Sequence, residues 1–183
     1  MKKISILLMT ICSILPTASN SAQTDVHAQA LFMQALNITN VTSMNFGALE
    51  FDSNDPGGII SLSNDGTLTP GTSGYLAETT GTAGSFTINA TAGELLTLSC
   101  STSALLVHEQ DANKVLGLFS INYSVSGMTL ICTGSGASVN SAGMDIINIG
   151  GSLQVPSGSI ATQGSYSTQN TGGNPVIFSV VYQ

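Results

Sequence analysis

From Met44 onward, apolar side chains alternate with Ser, Thr and Asn in short runs, and Gly, Asn, Asp or Pro breaks most runs before they reach helical length. A period of two places apolar residues on one side of an extended chain and polar ones on the other, so these runs predict half-buried strands. They read "SGYLAE", "GSFTINA", "ELLTLSC", "LGLFSINYSV", "MTLICTG", "DIINIGGSLQV" and the terminal "VIFSVVYQ". In "FDSNDPGGIISLSNDGTL" the turns Asn54-Asp55-Pro56-Gly57 and Asn64-Asp65-Gly66 bracket a further strand near Gly58 to Ser63. With one or two strands from the amino-terminal part, the expectation is an all-β sandwich of about 8–10 antiparallel strands.

The terminal run is the most informative. Phe178, Val180 and Tyr182 form one face with Val176, and Ile177, Ser179 and Val181 form the other. A greasy, alternating end predicts an ordered strand where chain ends are usually frayed. Two stretches compete as helices, His27 to Leu36 and Ala104 to Leu116. In the first, Ala28, Ala30 and Phe32 followed by Leu36 and Ile38 suit a long strand with one irregularity at Gln34, and strand is the preferred reading. Gly- and Ser-rich pieces such as "SGASVNSAG", Ser135 to Gly143, read as long hairpin loops.

The opening residues change the charge picture. Lys2 and Lys3, an apolar stretch from Ile4 to Leu15 and a small-residue exit from Pro16 to Ala22 describe an export signal, residues 1–22. Cys12 belongs to this leader, and bulky Ile11 before it argues against a lipid-attachment site. Without the leader, one lysine stands against ten acids, a formal charge of −9. Such a surface cannot neutralise phosphates, which excludes nucleic acid and anionic membrane as partners. No later apolar run reaches the roughly 18 residues a membrane helix needs. The remaining cysteines, Cys100 and Cys132, are an even pair in an exported chain and predict a disulfide. The expected layout is a leader at 1–22, an extension or first strand at 23–43 and a single sandwich domain at 44–183.

Chemistry is sparse. The chain has two histidines, His27 and His108, and lacks tryptophan. His108 beside Glu109 and Asp111 reads as a solvated loop residue, and no Gly-x-Ser-x-Gly, HExxH or phosphate-loop pattern accompanies it. Asp52, Asn54 and Asp55 cluster near glycines, but Ser63 stands where a calcium loop needs its last acid, so the cluster reads as a turn. Asn-x-Thr/Ser triplets begin at Asn37, Asn40, Asn89 and Asn122 and matter only in a glycosylating host. The expectation is a non-enzyme without cofactor or metal.

The segments "SMNFGALEF", "GTAGSFTINATAGELLTLS", "INIGGSLQVPSG" and "GSYSTQNTGGNPVIFSVVYQ" resemble DUF4402, a secreted bacterial domain of unknown function, over about residues 44–183. The resemblance is carried by Asn45 to Gly47, Ala83 to Phe86, and the ordered trio Gly164, Tyr166 and Tyr182. That family is similar to pilin-like and spore-coat-like sandwiches, which implies an immunoglobulin-like or pilin-like fold and a surface structural role. In chaperone-usher fimbriae a missing strand is lent first by a chaperone and then by the next subunit. By resemblance, Ala28, Ala30, Phe32, Leu36 and Ile38 are candidate donor-strand residues, and Phe178, Val180 and Tyr182 form the terminal-strand contact. Implied partners are other fibre subunits, a periplasmic chaperone and an outer-membrane usher, with passage through the periplasm to the cell surface. Asn170 stands where the fimbrial pattern carries a glycine, and the cysteines lie in the middle of the chain rather than early, so a distinct assembly route is also implied. A self-complete coat or matrix component, or a glycan-binding module, is the alternative expectation.

Overall fold

The computed structural model describes residues 29–50, 54–71, 76–77 (backbone only) and 80–183. Among these it contains strands and no helix. In chain order they are β1 (Asn37–Thr42), β2 (Leu49–Glu50), β3 (Gly58–Leu62), β4 (Leu68–Pro70), β5 (Leu76–Ala77), β6 (Gly84–Asn89) and β7 (Leu95–Cys100). There follow β8 (Ala104–His108), β9 (Val115–Val125), β10 (Met128–Ile131), β11 (Ala137–Asn140), β12 (Met144–Val155), β13 (Tyr166–Ser167) and β14 (Phe178–Tyr182). Residues from Met33 onward form one compact unit.

Two antiparallel layers make a β-sandwich. The larger runs β1-β6-β12-β9-β8-β13, with β10 added to β9, β3 added to β12 and β4 added to β3. The smaller is β11-β7-β14, and β2 pairs separately with β5. Alternation delivers one face of each strand to the core. Phe86 and Ile88 from β6, Ile147 and Ile149 from β12, and Ile121, Tyr123 and Val125 from β9 are buried, as are Leu96, Leu98 and Val180 of the smaller layer.

The long strand β12 serves two neighbours in succession. Its first half pairs with β6 from Met144 to Ile149, and its second half pairs with β3 from Gly151 to Val155. The changeover falls at Gly150, where the β12–β9 register also slips. A Cβ on Gly150 would lie 2.4 Å from the Leu62 carbonyl oxygen and 2.8 Å from the Asn64 nitrogen, both main chain. Glycine therefore permits the close approach that lets the sheet fork.

Cys100 in β7 and Cys132 just beyond β10 are joined, with an S–S distance of 2.07 Å and a sequence separation of 32. The bond ties the smaller layer to the larger, and both cysteines are buried. At the other end of β7, buried Asp145 fixes the β11–β12 corner: its Oδ2 accepts from the Ser141 hydroxyl and the Ala142 N–H, each at 3.1 Å.

Several sequence expectations need correction. The stretch from Ala104 to Leu116 is a hairpin, β8 leading into β9 across a turn in which the Lys114 N–H donates to the Asp111 carbonyl. Within the expected loop Ser135 to Gly143, β11 pairs with β7 because Val139, opposite Leu96, has an apolar side chain to bury. The amino-terminal strand starts at Asn37, whereas residues 29–36 are not in a strand and residues 23–28 lie outside the described residues.

Two outcomes follow for stability. Gly150→Ala should cost about 1–3 kcal/mol by forcing β3 and β12 apart, read as a lower denaturant midpoint at unchanged slope. An unchanged midpoint would show that the fork has slack. Replacing both Cys100 and Cys132 by alanine should remove about 3–4 kcal/mol and lower the melting temperature by about 10 °C. Melting within about 2 °C of the parent would mean that the bond is not holding the layers.

Candidate functional site

β14 pairs with β7 in the register Phe178↔Cys100, Val180↔Leu98 and Tyr182↔Leu96. Core-facing Phe178 meets Phe86 edge-on at 5.2 Å and Tyr123 at 5.6 Å. The strand is stitched at both ends. The Ser101 N–H donates to the Ile177 carbonyl at 3.0 Å and the Gln183 N–H to the Leu95 carbonyl at 2.9 Å, while the Gln183 amide donates to Thr97 and Ser138. An ordered apolar terminus is thus explained by burial and pairing within the chain.

Those stitches also fix which main-chain groups face which way. In an antiparallel pair, hydrogen-bonded and non-hydrogen-bonded positions alternate. Residues 177 and 183 bond to β7, so 179 and 181 do as well, and the N–H and C=O groups of Phe178, Val180 and Tyr182 point to the other side. That side is the outer edge of the smaller layer.

The opposite layer has more strands. Phe178 stands between Phe86 of β6 and Tyr123 of β9, across β12, and Tyr182 reaches the end of β6 at Thr91, with β1 one strand beyond β6. Ile38 of β1 pairs in register with Ile88 of β6 and points to the same side, yet Ile38 is 40% exposed while Ile88 is 0% exposed. Among the described residues, no strand pairs with the outer edge of β14.

The carboxyl end of β14 is tied to the amino-terminal segment by the chain itself. The Thr91 N–H donates to the Tyr182 hydroxyl oxygen at 2.7 Å, the Tyr182 hydroxyl donates to the Gln34 carbonyl at 2.9 Å, and the Gln34 N–H donates to the Thr91 hydroxyl at 2.6 Å. Three residues far apart in sequence close a ring of hydrogen bonds. Of the candidate donor residues, Leu36 packs against the core and Ile38 sits in β1, so both act within their own chain. Ala30 and Phe32 are exposed and outside any strand, and Ala28 lies outside the described residues. The sequence signalled the aromatic at 182 but not its hydroxyl's partners, since nothing local links Gln34, Thr91 and Tyr182.

His108 is not the solvated loop residue that its polar neighbours suggest. It ends β8, is buried, and stands edge-on to Tyr166 at 5.0 Å. Its Nε2 lies 3.0 Å from the Gln163 carbonyl, an acceptor, and the Gln110 N–H donates to its Nδ1 at 3.1 Å. The partners therefore assign the proton to Nε2. Gly164 makes the approach possible: at φ +147°, its Cβ would fall 2.1 Å from His108 Nε2. Among the described residues, no group of three His, Cys, Asp or Glu side chains could hold a metal ion. Asp55 is buried in its turn, its Oδ1 accepting from the Gly57 N–H at 2.9 Å, and Asp52 lies outside the described residues.

The Asn-x-Thr/Ser triplets have a structural meaning too. In Asn37-Ile-Thr39 and Asn122-Tyr-Ser124 the spacing of two puts both polar side chains on the outward face, while Ile38 and Tyr123 turn inward. Across β1 and β6 the Asn89 amide donates to the Thr39 hydroxyl at 3.1 Å, and the Asn40 amide donates to the Thr87 hydroxyl at 3.4 Å.

The model of a family described as Domain of unknown function (DUF4402) matches residues 36–171, and the chain belongs to that family. No curated protein and no solved structure matches it. The family match begins just before β1 and ends before β14, so the terminal strand lies outside it.

Tyr182→Phe keeps the ring and removes the hub of the hydrogen-bond ring. It should cost about 1–2 kcal/mol and speed amide exchange at Gln34 and Thr91. If exchange at both is unchanged, the hydroxyl does not hold the amino-terminal segment.

Proposed function

We propose that this member of the DUF4402 family is an exported structural subunit of a bacterial surface fibre, joined to its neighbours by β-strand addition at the β14 edge. One observation carries the reading: the outer edge of β14, where the main-chain groups of Phe178, Val180 and Tyr182 face away from β7 and no described strand pairs with them. A strand laid there would gain ladder hydrogen bonds along one side and bury alternate side chains against the core. An edge of this kind is an aggregation hazard unless something covers it. A chaperone would cover it in transit, an usher would mediate the exchange, and the next subunit would cover it at the cell surface.

The donor is the segment ahead of Met33, in which Ala28, Ala30 and Phe32 alternate. Leu36 and Ile38 are committed to their own domain and leave the donor set. Phe178, Val180 and Tyr182 contribute through their main chain, because their side chains face inward.

A second reading, a self-complete coat or matrix component, is favoured by the pairing of β1 with β6 and by the stitching of Gln183 to β7 within one chain. Residues 23–32 separate the two. Their deletion from the exported protein should abolish polymers and leave a domain of unchanged melting temperature that binds a synthetic peptide of residues 23–32. Val180→Pro, which deletes an N–H directed away from β7, should weaken that binding at least tenfold. An intact protein that stays monomeric at every concentration and takes up no peptide would establish the self-complete reading instead.

A further inference from the structure

Away from the β14 edge, a cavity of about 400 Å³ opens between the segment that precedes β2 and the loop that follows β12. Its floor is core: Phe46, Leu116, Leu153 and Val155 are all buried residues. Its mouth is polar, with Asn45, Thr162, Gln163 and Ser165 contributing amides and hydroxyls. None of its described lining residues is charged, in a chain with an excess of acids elsewhere. None belongs to β1, β7 or β14, so the cavity is independent of the strand-addition edge.

The wall is fixed before any ligand arrives. The Tyr166 hydroxyl donates to the Thr162 carbonyl at 3.2 Å, and His108 Nε2–H donates to the Gln163 carbonyl at 3.0 Å. β13 holds the same loop to β8, and the Glu109 N–H donates to the Ser165 carbonyl at 2.9 Å. The buried imidazole, with Gly164 pressed against it, thus acquires a purpose that a turn alone does not give it.

We infer that this cavity is a binding site for an uncharged amphiphile, an aliphatic chain of medium length ending in a hydroxyl, ester or amide group. The volume falls within the range of small-molecule sites, which join an apolar body to a few polar groups. The chain lies on the Phe46–Leu153 floor and the neutral head lies at the Thr162–Ser165 mouth. A charged head would be desolvated there, and a carboxylate would in addition meet the Glu109 side chain, whose Oε1 accepts from the Ser165 N–H at 3.3 Å, so fatty acids are disfavoured most strongly. The fixed wall lets the site bind without an ordering cost.

Titration of the full exported chain with N-phenyl-1-naphthylamine, a neutral apolar fluorophore, tests the site directly. Saturable one-to-one binding is expected, with displacement by 1-decanol at least tenfold more effective than by decanoate or decylammonium. Ala161→Phe, which fills the cavity from its wall, should weaken binding of the fluorophore at least tenfold. Ser165→Phe, at the exposed mouth, should do the same and serves if the first variant does not fold. Absence of saturation, equal displacement by decanol and decanoate, or unchanged affinity in a folded variant would each overturn the inference. Because polymerisation is not read in this titration, the fate of the fibre reading does not affect it.

Discussion

Main-chain hydrogen bonding within a layer of only three strands is the constraint on which the rest depends. β7 satisfies both of its sides, with β11 on one and β14 on the other, whereas among the described residues β14 is paired on one side only. The facing layer has more strands, and Phe178 packs between Phe86 of β6 and Tyr123 of β9. The Cys100–Cys132 bond ties the smaller layer to the larger, and the fork at Gly150 shapes the larger one.

The domain is also closed in ways that a subunit with a wholly missing strand would not be. Its carboxyl end is ordered by its own neighbours, and Gln34 is tied to Tyr182 and Thr91. Strand addition here would extend a complete core rather than complete an open one. That fits a domain that is stable alone and gains only a layer edge on assembly. The hydrogen-bond ring at Tyr182 then sets where a donated strand must stop, since Gln34 is already tied to that end of β14.

Much of this was legible in the residues. The runs "GSFTINA", "ELLTLSC" and "DIINIGGSLQV" became β6, β7 and β12 nearly to the residue, because each alternates over enough positions to fix its inward face. The cysteine pair followed from an even number of cysteines beyond residue 22 and the expectation of export. Weak alternation was misread: in "SGASVNSAG" one valine among small polar residues gave no periodic signal, and its pairing with β7 is a long-range effect. His108 was misplaced for a related reason, since Glu109 and Asp111 imply solvent while the wall that buries the ring comes from residues 163–166. The edge position of β14 was visible only as a greasy end, because which strand lies outermost depends on long-range pairing that no single segment encodes.

Amide hydrogen exchange along β14 tests the open edge most directly. In the isolated domain, Ser179, Val181 and Gln183, bonded to β7, should exchange slowly, and Phe178, Val180 and Tyr182 should exchange fast. In assembled material all six should be slow. Uniform protection in the isolated domain, or persistent fast exchange at 178, 180 and 182 after assembly, would contradict an edge left open for a neighbouring strand.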